Sequence, residues 1–173
     1  MADVRGYTTL TEGLTPLEVT AFANRFYEAG SAALLGVDGL LGQIEGDLVM
    51  GLFVPGLAGK NAYRRKAVEG GLRLLRTVGY GTPEGNWLNV GIGIASGEEY
   101  VGNVGGGGYK DFTALGDVTN TAARLSSAAA AGEILVDATT YEAAASEHPD
   151  AERRELALKG KSAPVSVASI RAT

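Results

Sequence analysis

Two apolar runs, Leu40-Leu41-Gly42-Gln43-Ile44-Glu45 and Leu48-Val49-Met50-Gly51-Leu52-Phe53-Val54, are separated only by Gly46-Asp47. Strand-forming residues on either side of a Gly-Asp link predict a tight antiparallel hairpin, closed by Pro55-Gly56. A hairpin alone is barely stable in water. The chain must therefore supply further strands to widen the sheet and helices to cover its apolar face.

The remaining periodicity supplies both. Thr15-Pro16-Leu17-Glu18 has capping-box spacing with Pro at the first helical position. Leu17, Phe22, Phe26, Ala29 and Ala33 follow at helical intervals, and Gly36 ends that run. Residues 60–78 read as a second amphipathic helix. Residues 87–96 read as a strand in which Val90, Ile92 and Ile94 alternate with small residues. Gly105 to Gly108 predicts a flexible bend and residues 109–115 a strand. Asp117 is expected to cap a helix reaching about Ala130. A strand at 133–136, a helix at 139–145 and strands near 156–158 and 165–170 complete the chain. The expected fold class is α+β: a ferredoxin-like βαββαβ core with helices packed on a mostly antiparallel sheet, plus extra C-terminal strands. No repeat or linker divides the chain, so one domain over residues 1–173 is expected.

Composition narrows the chemistry. The net charge is −5, and the basic cluster Arg64-Arg65-Lys66 lies in a helical pattern, which argues against a nucleic-acid partner. There is no cysteine, which excludes disulfides and thiolate metal sites, and with one histidine, His148, imidazole catalysis is not expected. No apolar run approaches the ~20 residues of a membrane span, and the composition fits a cytoplasmic protein.

Three constellations carry possible chemistry. Asp3 and Asp47 are carboxylates without histidine or thiol nearby in sequence, a donor type that suits magnesium or manganese. Read alone, they are as well explained as turn formers. Asn120 and Arg124 are four apart and share one helical face. An amide and a guanidinium there suit a ribose and a phosphate, or simply solvent. In Leu158-Lys159-Gly160-Lys161, glycine permits close backbone approach and the lysines offer point charges to phosphates. An exposed turn has the same appearance.

Together these segments resemble the class III adenylate/guanylate cyclases. The matching stretches are Ala2–Thr8, Glu45–Met50, Val90–Glu98, Val101–Val104, Asp111–Arg124, Gly132–Leu135 and Leu158–Lys161. They occur in the family's order and cover nearly the whole chain, Phe112–Arg124 being the most specific. The resemblance implies that Asp3 and Asp47 hold two Mg2+ or Mn2+ ions per active site. It implies that Asn120 orients the ribose and that Arg124 stabilises charge on the α-phosphate. Lys159 would hold the distal phosphates, Gly6, Tyr7 and Thr8 would lie against substrate, and Gln43 and Thr113 would read the purine. The implied reaction is attack of the ribose 3′-hydroxyl on the α-phosphate of ATP, giving cyclic AMP and pyrophosphate. The implied partner is a second copy, each site being shared across a homodimer, with a regulatory domain expected upstream.

The pattern departs from the family twice. Adenylate cyclases commonly have Lys where Gln43 stands. An amide serves adenine or guanine, so guanylate cyclase activity on GTP stays open, as does a non-catalytic dimerisation or nucleotide-sensing module. Only Met1 and Ala2 precede Asp3, where relatives have an apolar strand. A truncated first strand, a frayed Asp3, and weak metal and nucleotide binding by the chain as given are therefore expected. The Gly-Gly-Asp/Glu-Glu-Phe signature of diguanylate cyclases is absent.

Overall fold

A computed structural model describes residues 1–108 and 110–172. The elements run β1 (Ala2–Val4), α1 (Tyr7–Thr11), α2 (Pro16–Leu35), β2 (Leu40–Glu45), β3 (Leu48–Leu52), α3 (Pro55–Ala58) and α4 (Tyr63–Thr77). They continue with β4 (Val90–Ile94), β5 (Tyr100–Val104), β6 (Asp111–Leu115), α5 (Asp117–Ala128), β7 (Glu133–Asp137), α6 (Ala138–Ala144), β8 (Glu152–Leu156) and β9 (Val165–Arg171). Seven strands form one sheet in the order β2-β3-β1-β4-β7-β9-β8, and β5 and β6 form a separate ribbon. Among the described residues, β4 and β7 alone pair in parallel. This is the expected α+β architecture, with β8 and β9 extending the core sheet.

The hairpin forms where Gly46-Asp47 predicts it, with Gly46 at φ 55°. A register shift between Leu41 and Gln43 twists β2. The Thr15 hydroxyl accepts from Glu18 N while the Glu18 carboxylate accepts from Thr15 N, so the capping box opens α2 as its spacing indicates.

The two faces of the sheet are separated at β4. A Cβ placed on Gly71 of α4 would meet Ile92, Ile94 and Ile134, while one on Gly93 would meet the backbone of α5. Neighbouring strand residues point to opposite faces, so α4 covers one side and α5 the other. The larger core joins Phe26, Leu75, Leu88, Ile92 and Ile134 with α2 and α4. A smaller one joins Leu125 of α5 and Ala129 just beyond it to Leu135, Leu158 and Val167.

Several local expectations are corrected. Pro55-Gly56 does not merely close the hairpin; it opens the short α3. Asp117 is the first residue of α5, and Gly116 is its N-cap. Gly116 sits at φ 154°, and a Cβ there would stand 2.7 Å from the Glu99 carboxylate. Residues 100–104 pair with β6 as a strand that the glycine-rich context concealed. The predicted 109–115 strand begins at Asp111, and Tyr109 lies outside the described residues.

The first strand is short, as expected, but it is not frayed. Ala2 and Asp3 pair with Val49 and Leu48 on one side and with Ile92 and Gly91 on the other. Met1 and Gly93 exchange backbone hydrogen bonds of 2.8 Å in both directions. Three residues suffice because both edges are paired and both apolar side chains, Ala2 and Val4, are buried. Beyond Met1 the ends of β3 and β4 border a cavity of about 320 Å³ lined by Leu34, Gly51, Phe53, Ile94, Ser96 and Ala122. No helix among the described residues is long and apolar enough to cross a membrane.

Candidate active site

Asp3 and Asp47 come together although 44 positions separate them in sequence. Asp3 pairs with Leu48 across β1 and β3, and Val4 N donates to Asp47 O at 3.0 Å. Burial pushes the Asp3 carboxyl above its usual range. The Arg5 guanidinium pulls it back in part, and the Asp47 carboxylate adds to the upward push. A half-buried carboxylate with a second carboxylate beside it is short of positive charge, the setting that suits a divalent cation. Among the described residues no group of three His, Cys, Asp or Glu could complete a protein-only cage. A metal held here would take its remaining ligands from backbone, water or a bound phosphate.

The rim of this pair contains residues that the sequence motifs did not flag. The Tyr27 hydroxyl donates to Gly46 O at 2.7 Å, bracing the turn that carries Asp47. Burial raises its pKa, with the nearby Tyr7 and Asp47 contributing. Gly6 adopts φ 69° with open space around it and leads into α1. Tyr7 packs its ring on Phe22 of α2 at 6.2 Å, and Thr8 is exposed beside it. Gly6 and Thr8 thus border open space, whereas the Tyr7 ring anchors α1 to α2.

A second group forms on α5. Asn120 is exposed near its start and Arg124 is half-buried one turn later. The Arg124 guanidinium lies against Gly160, 3.1 Å from the position a Cβ would take there. Gly160 belongs to the turn that displays the exposed Lys159. Leu158 fixes this turn by joining one core with Leu125 of α5 and Ala129 just beyond it. Lys161 adds an ion pair to Asp117 at the first turn of α5. Glu99 secures the same end, accepting from Thr119 N at 2.8 Å and from the Thr119 hydroxyl at 2.7 Å. These clamps link residues 20 to 44 positions apart, and no local spacing announces them.

The base-reading candidates lie on neighbouring strands, since β6 packs beside β2. Thr113 is buried on β6 opposite Gly102. Gln43 donates to Glu45 at 3.4 Å, which places both side chains on one face of β2, and Glu45 is exposed.

No hydrogen bond or ion pair among the described residues joins Asp3 or Asp47 to Asn120, Arg124 or Lys159. Arg5 reaches the carbonyls of Ser127 and Ala129 at the far end of α5. Asn120 lies seven residues before Ser127, about 10 Å along the helix axis. Each chain thus presents two carboxylates, and an amide and a guanidinium on α5, with no bond between the two pairs among the described residues.

Comparison with known proteins identifies the family and the fold. The family model for the adenylate and guanylate cyclase catalytic domain matches residues 1–168. An adenylate cyclase of Anabaena cylindrica is 30% identical over 129 residues, covering 71% of this chain and 25% of its own length. The chain thus spans a quarter of that relative. Among solved structures, the adenylyl cyclase CyaB from P. aeruginosa superposes with a TM-score of 0.82 at 30% identity, covering 99% of this chain and 91% of that one. The guanylyl cyclase Cya2 gives 0.83 at 27% identity, covering 99% and 89%. The chain belongs to the family of adenylate and guanylate cyclase catalytic domains.

Proposed function

We propose that two copies of this chain convert ATP to cyclic AMP and pyrophosphate, each site taking Asp3 and Asp47 from one copy and Asn120, Arg124 and Lys159 from its partner. The observation that supports this reading is that the carboxylates of Asp3 and Asp47 lie together while no bond among the described residues joins them to Asn120, Arg124 or Lys159. A twofold axis brings unlike patches of two copies together twice.

In this reading Asp3 and Asp47 hold two Mg2+ or Mn2+ ions. When bound, the ions supply Lewis acidity toward the 3′-hydroxyl and the triphosphate. The Asn120 amide orients the ribose so that its 3′-oxygen faces the α-phosphorus. The 3′-oxygen–phosphorus bond forms, the bond to the β-phosphate oxygen breaks, and the hydroxyl proton passes to solvent. Arg124 neutralises charge that develops on the α-phosphate, and Lys159 holds the distal phosphates as pyrophosphate leaves. Placement and charge neutralisation supply most of the rate gain in such transfers. Gln43 and Thr113 face the purine. The Thr113 hydroxyl can donate or accept and serves either base; ATP is the first reading by the resemblance to bacterial adenylate cyclases, many of which carry Thr at this place. GTP is the second reading: Gln43 commits an N–H to Glu45 and leaves its carbonyl free to accept from guanine.

Complementation tests the division of labour. Asp3→Asn and Arg124→Ala chains should each be inactive with manganese and either triphosphate. Mixed in equal amounts, half of the dimers pair one of each and hold one intact site, restoring about a quarter of the wild-type rate. A mixture as inactive as its parts would refute the shared site. A wild-type chain that binds nucleotide without turnover at any protein concentration would identify a sensing module instead.

A further inference from the structure

Arg5 touches two things at once. Its guanidinium pairs with the Asp3 carboxylate and also donates to Asp3 O. From the same position it donates to Ser127 O at 3.1 Å and Ala129 O at 3.5 Å. Those carbonyls close the last turn of α5, where backbone acceptors lack helical partners and a cation is favoured. Arg5 follows Asp3 by two positions and therefore leaves β1 on the same face. Both side chains are about three-quarters buried, at 23% and 24% exposure, so solvent screens the pair only partly.

We infer that Arg5 is the resident counterion of the metal site: its guanidinium occupies the Asp3 carboxylate and must yield to an incoming divalent cation. This inference rests on the reading that Asp3 holds metal. Asp3 and Asp47 sit together in a partly buried place with one adjacent cation, and a carboxylate pair without that cation would repel. The guanidinium thus stabilises the empty site. A divalent ion meets the opposite effect, since it must displace the guanidinium and then sit beside its positive charge. Ser127 O and Ala129 O already accept from the same guanidinium, so it keeps those partners when Asp3 is taken by an ion and no buried cation is left unpaired. Because α5 also carries Asn120 and Arg124, the exchange at Asp3 alters a contact of the helix that serves the other site of the dimer. Arg5 is in this sense a positioning residue that sets the metal concentration at which the site fills.

The test is direct binding of Mn2+, followed by calorimetry and by loss of the free-ion electron paramagnetic resonance signal, without nucleotide. Arg5→Gln removes the charge and should tighten Mn2+ binding by about tenfold, because a unit charge a few ångströms from the ion is partly screened. Arg5→Lys keeps the charge and should bind within about twofold of wild type. In the metal-free state Arg5→Gln should melt earlier than wild type, and Mn2+ should raise its melting temperature more. Unchanged or weaker Mn2+ binding by a folded Arg5→Gln protein, checked by Trp87 fluorescence, overturns the inference. Asp3→Asn separates this failure from failure of the site itself. If Asp3→Asn binds Mn2+ like wild type, Asp3 holds no metal and both readings fall. If it loses binding while Arg5→Gln leaves affinity unchanged, only the counterion role falls.

Discussion

Gly93 is the position where one added methyl group should test the link between fold and catalysis. It lies on β4 under α5, and a Cβ there would stand 2.1 Å from Ser126 N, 2.2 Å from Ala122 O and 2.7 Å from Leu125 C. All three are backbone atoms of α5, so no side-chain rotation can relieve the clash. Ordinary contact requires about 3.5 Å, so the helix must lift by about an ångström. Overpacking of this kind costs about 1–3 kcal/mol. The helix that lifts is the one bearing Asn120 and Arg124. A misplacement of about 1 Å in positioning groups costs about a hundredfold in rate. Gly93→Ala should therefore lower the urea midpoint, read by fluorescence of the single Trp87, and lower kcat with Mn2+ and ATP by about two decades. Gly71→Ala is the control. It lies on α4 over the opposite face, where a Cβ meets the tip of Ile134 at 3.1 Å, a flexible side-chain end. Replacing a mid-helix glycine gains up to about 1 kcal/mol, so that variant should keep its activity and its stability. A Gly93→Ala protein with wild-type midpoint and kcat, or a Gly71→Ala protein equally damaged, would refute the reasoning.

Two more perturbations follow from the same geometry. The Glu133 side chain is 2% exposed and accepts from Ala130 N at 2.7 Å, the Ser169 hydroxyl at 2.6 Å and Arg154 at 2.8 Å. Glu133→Gln should cost about 2 kcal/mol in urea denaturation. Burial raises the Glu133 pKa, but Ser169, Ala130, Arg154 and Arg171 together outweigh it and leave the group below its ordinary value. Its folded pKa is thus depressed, so its contribution is present above the unfolded value of about 4.3 and is lost as pH falls through the lower folded value. The Glu133→Gln protein should show a shallower loss of stability in that acid range, and an identical pH profile would contradict the assignment. Arg124→Ala should reduce kcat with Mn2+ and ATP by about two to three decades, equivalent to about 2.7–4 kcal/mol. Its urea midpoint should hold, because the guanidinium makes no ion pair among the described residues.

Much of this protein could be read in one dimension because the signals are local. The β2–β3 hairpin follows from a two-residue Gly-Asp link, and the α2 start follows from the four residues of its capping box. The Asn120–Arg124 face follows from helical spacing alone. Each is decided by atoms within a few residues of one another. Tertiary structure decided what depends on distant segments. Asp3 becomes a fixed side chain only because β3 and β4 grip β1 from both sides. Asp117 loses the capping role to Gly116 because Glu99 occupies that corner and Lys161 claims the Asp117 carboxylate. The Lys159-Gly160 turn reaches Arg124 because Leu158 and Leu125 join one core across 33 positions of chain. Arg5 acquires a role only when β1 delivers it to the end of α5. The division has a simple cause: turns and caps are settled by short-range sterics and hydrogen bonds, whereas burial and the pairing of charges are settled by which surfaces the sheet brings face to face.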